Sequence, residues 1–163
     1  MLAVPHLVWL DVWGLVALLA TVPNWFATVL AGRSPDGLHA FLTAFLRYAT
    51  HVSAYLALLA QPFPPFTGVQ HRYPVDLDVG GPAPQNRWVT GFRLVLALPA
   101  LLLALGLRAV LAIVAALGWF ACLALGRMPE GLRDLGASCL RFDQRTHAYL
   151  LLLTDHYPSL SDR

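Results

Sequence analysis

The apolar run from Leu101 to Leu125 limits the possible folds of this chain more than any other feature. It is 25 residues long, and Arg108 is its one charged residue. As a helix, the run is about 37 Å long, which exceeds the ~30 Å thickness of a hydrocarbon core. A run of the same length from Leu7 to Ala31 carries Asp11 as its one charged residue. Both runs therefore predict helices that cross a membrane.

The composition also favours a membrane protein over a soluble one. Hydrophobic residues make up 58% of the 163-residue chain and charged residues 12%, and the mean hydropathy is +0.61. Soluble domains carry about 25% charged residues, so this chain lacks the charge that a water-facing surface needs. The net charge of +2 is not concentrated in a basic run, and we therefore expect no nucleic-acid partner.

The sequence repeats itself after a shift of 94 residues, which places Trp25 on Trp119. The matching segments are WFATVLAGRSPDGL with WFACLALGRMPEGL, and LRYATHVSAYLALLAQPFP with LRFDQRTHAYLLLLTDHYP. A duplicated unit of this length resembles the internal duplications of membrane transporters. We predict a first repeat over residues 1–66, truncated at its N-terminus, and a second repeat over residues 67–163.

One further pattern covers nearly the whole chain. It consists of YPV, then Asn-Arg, a proline-bearing apolar helix, Trp-Phe, Gly-Arg-x-Pro, Leu-Arg, Ala-Tyr-Leu-x-Leu-Leu and a closing aromatic-Pro pair. This order resembles the bacterial domain-of-unknown-function 4389 membrane family, with a complete copy from Arg72 to Pro158 and a truncated copy from Met1 to Phe66. The resemblance implies the architecture and no activity.

Each repeat is predicted to contain two helices. Gly32 and Gly126 of the Gly-Arg-x-Pro turns suit the residue that follows a helix end, and the prolines suit the first turn of a new helix. The second helices are then expected over Asp36–Ala60 and Glu130–Thr154. Before the second membrane span, we expect a short interfacial segment that bends at Pro99.

The connector between the repeats contains YPVDLDV, from Tyr73 to Val79, in which apolar and acidic residues alternate. This alternation predicts a short strand. The expected fold is an all-α integral membrane protein with two tandem helical pairs and a short extramembrane β element. Four full crossings would make the repeats parallel, whereas second helices lying flat would leave one span per repeat and make the repeats inverted.

Polar residues form a stripe along one face of each second helix, because they recur every four residues. The stripes contain Arg47, His51 and Tyr55 in the first repeat and Arg141, Arg145 and Tyr149 in the second. Converging positive stripes would need an anion between them, so we predict a site for an anionic lipid or another anion. The alternative is that both helices lie at the interface with their arginines reaching the lipid head groups.

A second candidate is an ion pair between Asp11 and Arg108, which would lie at similar depth if the repeats are parallel. The alternative is that both residues lie unpaired near the membrane interface.

The sequence contains no signature of catalysis or of a metal site. The histidines show no ligand spacing beside a carboxylate, and no serine lies in a nucleophile elbow. We therefore expect no enzyme activity, cofactor or metal in a multi-pass protein of the cell (inner) membrane. The leading hypothesis is a lipid-binding protein or accessory subunit, with membrane lipids, a larger membrane complex or a homo-oligomer as partners. The alternatives are a small oligomeric transporter or channel and, last, a lipid-modifying enzyme.

Overall fold

The computed structural model describes residues 4–159, which form five helices and no strand. The helices are α1 (Val4–Ala31), α2 (Asp36–Leu56), α3 (Arg87–Gly91), α4 (Arg93–Leu125) and α5 (Glu130–Leu150). The predicted ends at Ala31 and Leu125 and the predicted starts at Asp36 and Glu130 are therefore confirmed. The second helices of both pairs end four residues earlier than expected.

The two helical pairs have matching boundaries and turns. Each boundary of α2 and the C-terminal end of α1 recur 94 residues later in α5 and α4. Gly32 and Gly126 take the left-handed conformation, with φ of 76° and 69°, because a residue without Cβ adopts it freely. After α2 and α5, even Leu58 and Leu152 have positive φ at matched positions. The two helical pairs thus have the same backbone conformation at the ends of their helices.

The contacts between the pairs define the direction of each helix. Within each pair the helices are antiparallel: His6 near the start of α1 meets Tyr48 in α2, and Arg93 at the start of α4 meets Tyr149 in α5. Between the pairs, α2 and α5 are also antiparallel. Leu42 near the start of α2 packs with Ala148 and Leu153, whereas Leu59, just after α2, approaches Gly136 near the start of α5. By these contacts, α1 and α4 run in opposite directions.

The second span differs from the prediction at its N-terminal end. Helix α4 begins at Arg93 and continues through Pro99 to Leu125, so the segment before Pro99 is part of the same helix as the predicted span. The break lies at Phe92, which separates α4 from the short α3. Pro99 is the seventh residue of α4 and has no N–H to donate to the carbonyl oxygen of Val95, so one hydrogen bond is missing in a helix that is otherwise continuous there.

The predicted β element is not supported by the described residues. Pro74 and Asp78 are exposed while Val75, Leu77 and Val79 are half-buried, so the sequence alternation did identify the apolar inward-facing side chains. The side chain of Asp76 is an exception, because it is only 22% exposed and faces Arg47. These apolar residues pack on α2 and its neighbours. No strand is formed within residues 4–159, so the segment has no strand partner and forms no sheet. Alternation alone cannot supply the partner strand that a ladder requires.

The outer surface of the molecule has two chemically different sides. Helices α1 and α4 are long and apolar enough to cross a membrane, and large apolar side chains such as Leu18 and Leu102 are exposed along them. Helix α5 instead exposes the charged residues Arg133, Asp134 and Arg141. Ten of the 21 residues of helix α2 are buried.

Candidate functional site between the helical pairs

Arg47 of the first predicted stripe holds the connector, residues 57–86, against α2. Its Nε lies 2.8 Å from Oδ1 of Asp76, and its two terminal nitrogens donate to the carbonyl oxygens of Gly68 at 3.2 Å and Leu77 at 3.1 Å. The side chains of Arg47 and Asp76 are only 11% and 22% exposed. The charge of Arg47 is therefore balanced by a carboxylate from the connector and not by an anion from outside.

Asp76 is held in its ionised form by this arrangement. Burial by itself would raise the pKa of the carboxyl group, but the backbone N–H groups of His71 and Leu77 donate to its oxygens. These bonds and the Arg47 guanidinium together lower the pKa below its ordinary value. The connector is thus fixed to α2 by an ion pair with most of its hydrogen-bonding capacity satisfied.

The other two residues of the first stripe contact aromatic rings. His51 is fully buried, its ring lies 4.8 Å from that of Tyr73, and neither ring nitrogen has a hydrogen-bond partner within residues 4–159. Tyr55 packs edge-on against Phe63 at 5.7 Å. Burial, with a smaller effect of Tyr55, raises the pKa of Tyr73 to about 12, so this phenol stays neutral and donates to Pro62 O.

The residues of the second stripe lie in three different environments. Arg141 is exposed on α5, and Arg145 donates to the carbonyl oxygen of Ser159 at 2.9 Å. Tyr149 is buried, and its ring lies 4.4 Å from the guanidinium of Arg93. The structure therefore does not bring the two stripes together as one continuous positive surface.

A cleft of about 350 Å³ does separate α2 and the connector from α5. Its polar lining comes from Thr50 and Asp76 on one side and from Arg133, Arg141 and Gln144 on the other. The apolar lining includes Leu59, Val75, Leu77, Ala137 and Leu140. Of the six stripe residues, only Arg141 contributes to this cleft. We call it the inter-pair cleft.

Arg93, which the sequence analysis did not select, joins the start of α4 to the end of α5 and to the connector. It is 2% exposed and donates to the carbonyl oxygens of Tyr149 and Thr154, to Oε1 of Gln85 and to Asp155. The last carbonyl groups of a helix lack hydrogen-bond donors within the helix. Arg93 donates to one of these groups in α5, the carbonyl oxygen of Tyr149. The sequence did contain one feature that could have identified Arg93, namely an arginine at the start of the most apolar helix.

Three more side chains complete this cap at the end of α5. Asn24 donates to Leu151 O at 3.2 Å, Gln85 donates to Leu152 O at 2.7 Å, and the His39 ring lies 3.4 Å from Leu153 O. All three come from outside the second helical pair. This end of α5 is therefore a polar junction that fixes the two pairs to each other.

Arg108 is paired, but not with the predicted partner. Its Nε lies 2.6 Å from Oδ1 of Asp143, and it donates to Nε2 of His147 at 2.7 Å. Arginine only donates, so His147 carries its ring proton on Nδ1, 2.7 Å from Asp143 O. Asp11 is exposed on α1 and has no salt bridge within the described residues. The predicted pairing assumed parallel repeats, which would place Asp11 and Arg108 at similar depth. Helices α1 and α4 instead run antiparallel, so the two residues do not meet.

Comparisons with known proteins identify a family and no characterised relative. No curated protein and no solved structure matches this chain. The sequence model described as domain of unknown function (DUF4389) matches residues 1–67 and again residues 87–161. The two matches are consistent with two copies of one domain, of which the first is truncated, and together they cover most of the chain. The chain belongs to the DUF4389 family.

Proposed function

We propose that this chain is a non-enzymatic integral membrane protein that crosses the membrane with α1 and α4 and binds a lipid head group in the inter-pair cleft. The observation that carries the proposal is the exposed apolar surface of these two helices. In the most apolar 18-residue stretch of each helix, only 17% is buried inside the molecule. A core helix of a soluble protein would be mostly buried, and exposed apolar surface of this extent fits lipid contact.

The helix directions support an inverted arrangement of the two repeats. Because α1 and α4 run in opposite directions, each repeat would cross once, from opposite sides. The pseudo-twofold axis would then lie in the membrane plane, as in inverted-repeat transporters. The connector makes this arrangement possible, since it returns along α2 from Gly68 beside Ala44 to Gln85 beside Gly32.

The polar side of the molecule requires water or protein next to it. The connector is not helical, and irregular backbone at membrane depth is stable only where protein buries it or water reaches it. The exposed charges of α5 have the same requirement. The inter-pair cleft opens on this side, so a lipid head group is a more suitable occupant for it than an acyl chain.

The lining of the inter-pair cleft supports the binding of a head group. Arg133 and Arg141 offer guanidinium groups suited to phosphate, and the apolar residues around them exclude water from part of the cleft. A volume of about 350 Å³ lies in the range of small-molecule sites. The lining shows no nucleophile beside a base, which is why we propose binding and not catalysis.

A second candidate function, an accessory subunit of a membrane complex, is favoured by Arg108. Its side chain is 50% exposed near the middle of α4 although it pairs with Asp143. A half-exposed charge at this depth is costly in lipid, and a polar surface of a partner would reduce that cost. Recovery of a stable partner with the tagged protein in mild detergent, and its loss in Arg108→Leu, would support this role.

The membrane arrangement is tested with two cysteine variants at matched positions. Gly37 and Gly131 are exposed, follow α1 and α4 respectively, and have no atom within 4 Å of an added Cβ. In a Cys122→Ser/Cys139→Ala background, Gly37→Cys and Gly131→Cys should show opposite labelling by a membrane-impermeant maleimide in intact cells. Equal labelling of both variants would contradict the inverted arrangement, and recovery of the protein in the soluble fraction would refute membrane insertion.

Lipid binding is tested by the phosphorus content of the purified protein. The double variant Arg133→Gln/Arg141→Gln should retain less phospholipid than wild type. The matched control is Arg33→Gln/Arg87→Gln, which removes two exposed arginines at the opposite end of the molecule. An equal phosphorus content in all three proteins would refute binding in the inter-pair cleft.

A further inference from the structure

The short segment around α3, residues 85–93, joins the two helical pairs. The backbone N–H of Gln85 donates to the carbonyl oxygen of Gly32 at 2.7 Å, so the segment begins against the turn that follows α1. The side chains of Gln85 and Arg93 donate to residues just after α5. Four residues are contacted at these two places, namely Gly32, Leu152, Thr154 and Asp155.

The internal repeat gives each of these four residues a counterpart 94 positions away. Gly126 corresponds to Gly32, and the counterparts of the other three residues lie just after α2. All four counterparts line one cavity of about 370 Å³, and they are Gly126, Leu58, Ala60 and Gln61. We call it the α2-end cavity. It is the pseudo-symmetric equivalent of the place that residues 85–93 occupy beside the first pair.

The main-chain acceptor at this cavity differs from its counterpart in one respect. Gly32 O accepts a hydrogen bond from Gln85, whereas no backbone N–H within residues 4–159 donates to Gly126 O. Gly126 is exposed, so its carbonyl oxygen can be approached from outside the molecule. A polypeptide segment that runs past Gly126 can therefore form the hydrogen bond that Gln85 forms with Gly32.

The charges around the α2-end cavity also differ from those of its counterpart. Asp155, which pairs with Arg93 at 3.0 Å, corresponds to the neutral Gln61, and no acidic residue lines the cavity. Arg127 and Arg133 do line it. Both are exposed, and neither side chain forms an ion pair or a hydrogen bond within residues 4–159. Charge complementarity thus favours an occupant with a carboxylate over one with a guanidinium group.

We propose that the α2-end cavity docks a segment of a partner polypeptide that follows the path of residues 85–93 and carries an acidic side chain. A backbone N–H of the partner donates to Gly126 O, and the carboxylate binds Arg127 and Arg133. A polypeptide is favoured over a lipid head group because the equivalent place beside the first pair holds a polypeptide. A second copy of this chain is a less suitable partner, since its own residues 85–93 are engaged and carry two arginines.

The experiment compares two peptides of equal length and opposite charge. One has the sequence of residues 85–93, QNRWVTGFR, and the other has glutamate in place of both arginines. Each carries a fluorophore, and its binding to the full-length protein in neutral detergent is followed by anisotropy as the part that excess unlabelled peptide displaces. The acidic peptide should bind about tenfold more tightly or better. Failure of the acidic peptide to bind, or equal affinity of the two peptides, would overturn the proposal.

Matched variants then test where the acidic peptide binds. Arg127→Gln should weaken its binding about tenfold, because one of the two guanidinium groups is lost. Arg33→Gln changes the counterpart of Arg127 at the turn after α1 and should leave the affinity unchanged. Arg127→Glu should bind the arginine-bearing peptide more tightly than wild type does. Both positions are exposed, and matching thermal midpoints check that the fold is intact. Equal effects of Arg127→Gln and Arg33→Gln would contradict the assignment.

A competition with short-chain phosphatidylglycerol distinguishes a polypeptide occupant from a lipid. The lipid should not displace the acidic peptide from wild type. Displacement in wild type, together with lipid binding that is lost in Arg127→Gln, would show that the cavity binds a head group and would refute the proposed partner. Because Arg127 does not line the inter-pair cleft, these outcomes are read separately from those of the proposed function.

Discussion

Replacement of Gly68 by alanine should detach the connector from α2. A Cβ atom at this position would lie 1.8 Å from the carbonyl oxygen of Ala44 and 2.6 Å from its carbonyl carbon. Both contacts are with backbone atoms of a helix, which cannot rotate away as a flexible side chain would. The steric conflict must therefore be relieved by movement of the connector itself.

The size of the effect follows from these distances. Ordinary contact begins at 3.4 Å, so the two backbones must separate by about 1.6 Å. This movement would break the 3.2 Å hydrogen bond from Arg47 to Gly68 O. Overpacking costs about 1–3 kcal/mol and the lost bond about 1 kcal/mol, which together lower the free energy of unfolding by about 2–4 kcal/mol. For a chain of this size, the thermal midpoint should fall by about 5–15 °C.

Gly81→Ala is the matched control, because it lies in the same connector with no atom within 4 Å of an added Cβ. Both variants are purified in the same detergent, and tryptophan fluorescence is followed on heating at one scan rate. Limited trypsin digestion at Arg72 reports connector release directly, since Gly68→Ala should be cleaved faster than the control. Equal midpoints and equal cleavage rates in Gly68→Ala and Gly81→Ala would refute the docking of the connector.

Two further predictions concern the polar contacts that join the connector to α2 and the start of α4 to the end of α5. Because the folded state lowers the pKa of Asp76, its ion pair should contribute stability above the ordinary carboxyl pKa of 3.8 and lose it as the pH falls below that value through the folded pKa. The thermal midpoint of Asp76→Asn should therefore fall less steeply than that of wild type on acidification below about pH 4, and parallel curves would contradict the assignment. Arg93→Lys keeps the charge but cannot reach four acceptors in the same geometry, so the free energy of unfolding should fall by about 3 kcal/mol or more. The exposed Arg87→Lys serves as its control, and a similar small effect in both variants would show that the capping of α5 contributes little.

The sequence predicted the local features of the fold well. The duplicated glycine and proline positions predicted where α1 and α4 end and where α2 and α5 begin, because helix caps depend on residues within one turn. The apolar run that ends at Leu125 likewise predicted the second membrane-length helix. The sequence pattern did not reveal the boundary at Phe92 between α3 and α4.

The candidate site was predicted only in part. Arg141 does line the inter-pair cleft, as its position on the stripe suggested. Arg47 does not, because a carboxylate 29 residues further along the connector neutralises it. Arg108 was correctly selected as a residue that needs a partner, but Asp143 and not Asp11 provides one. Such pairings depend on the paths of distant segments, which periodicity does not encode.

The sequence by itself determined that two similar helical pairs form and that α1 and α4 have membrane-length apolar surfaces, since these properties arise from neighbouring residues. Only the tertiary structure decided that the connector returns along α2 and that the second pair runs opposite to the first. The physical reason is that Arg47, Gly68 and Asp76 hold the connector in place through contacts between segments that are distant in the sequence. The same path creates the inter-pair cleft, which residues from α2, the connector and α5 line together.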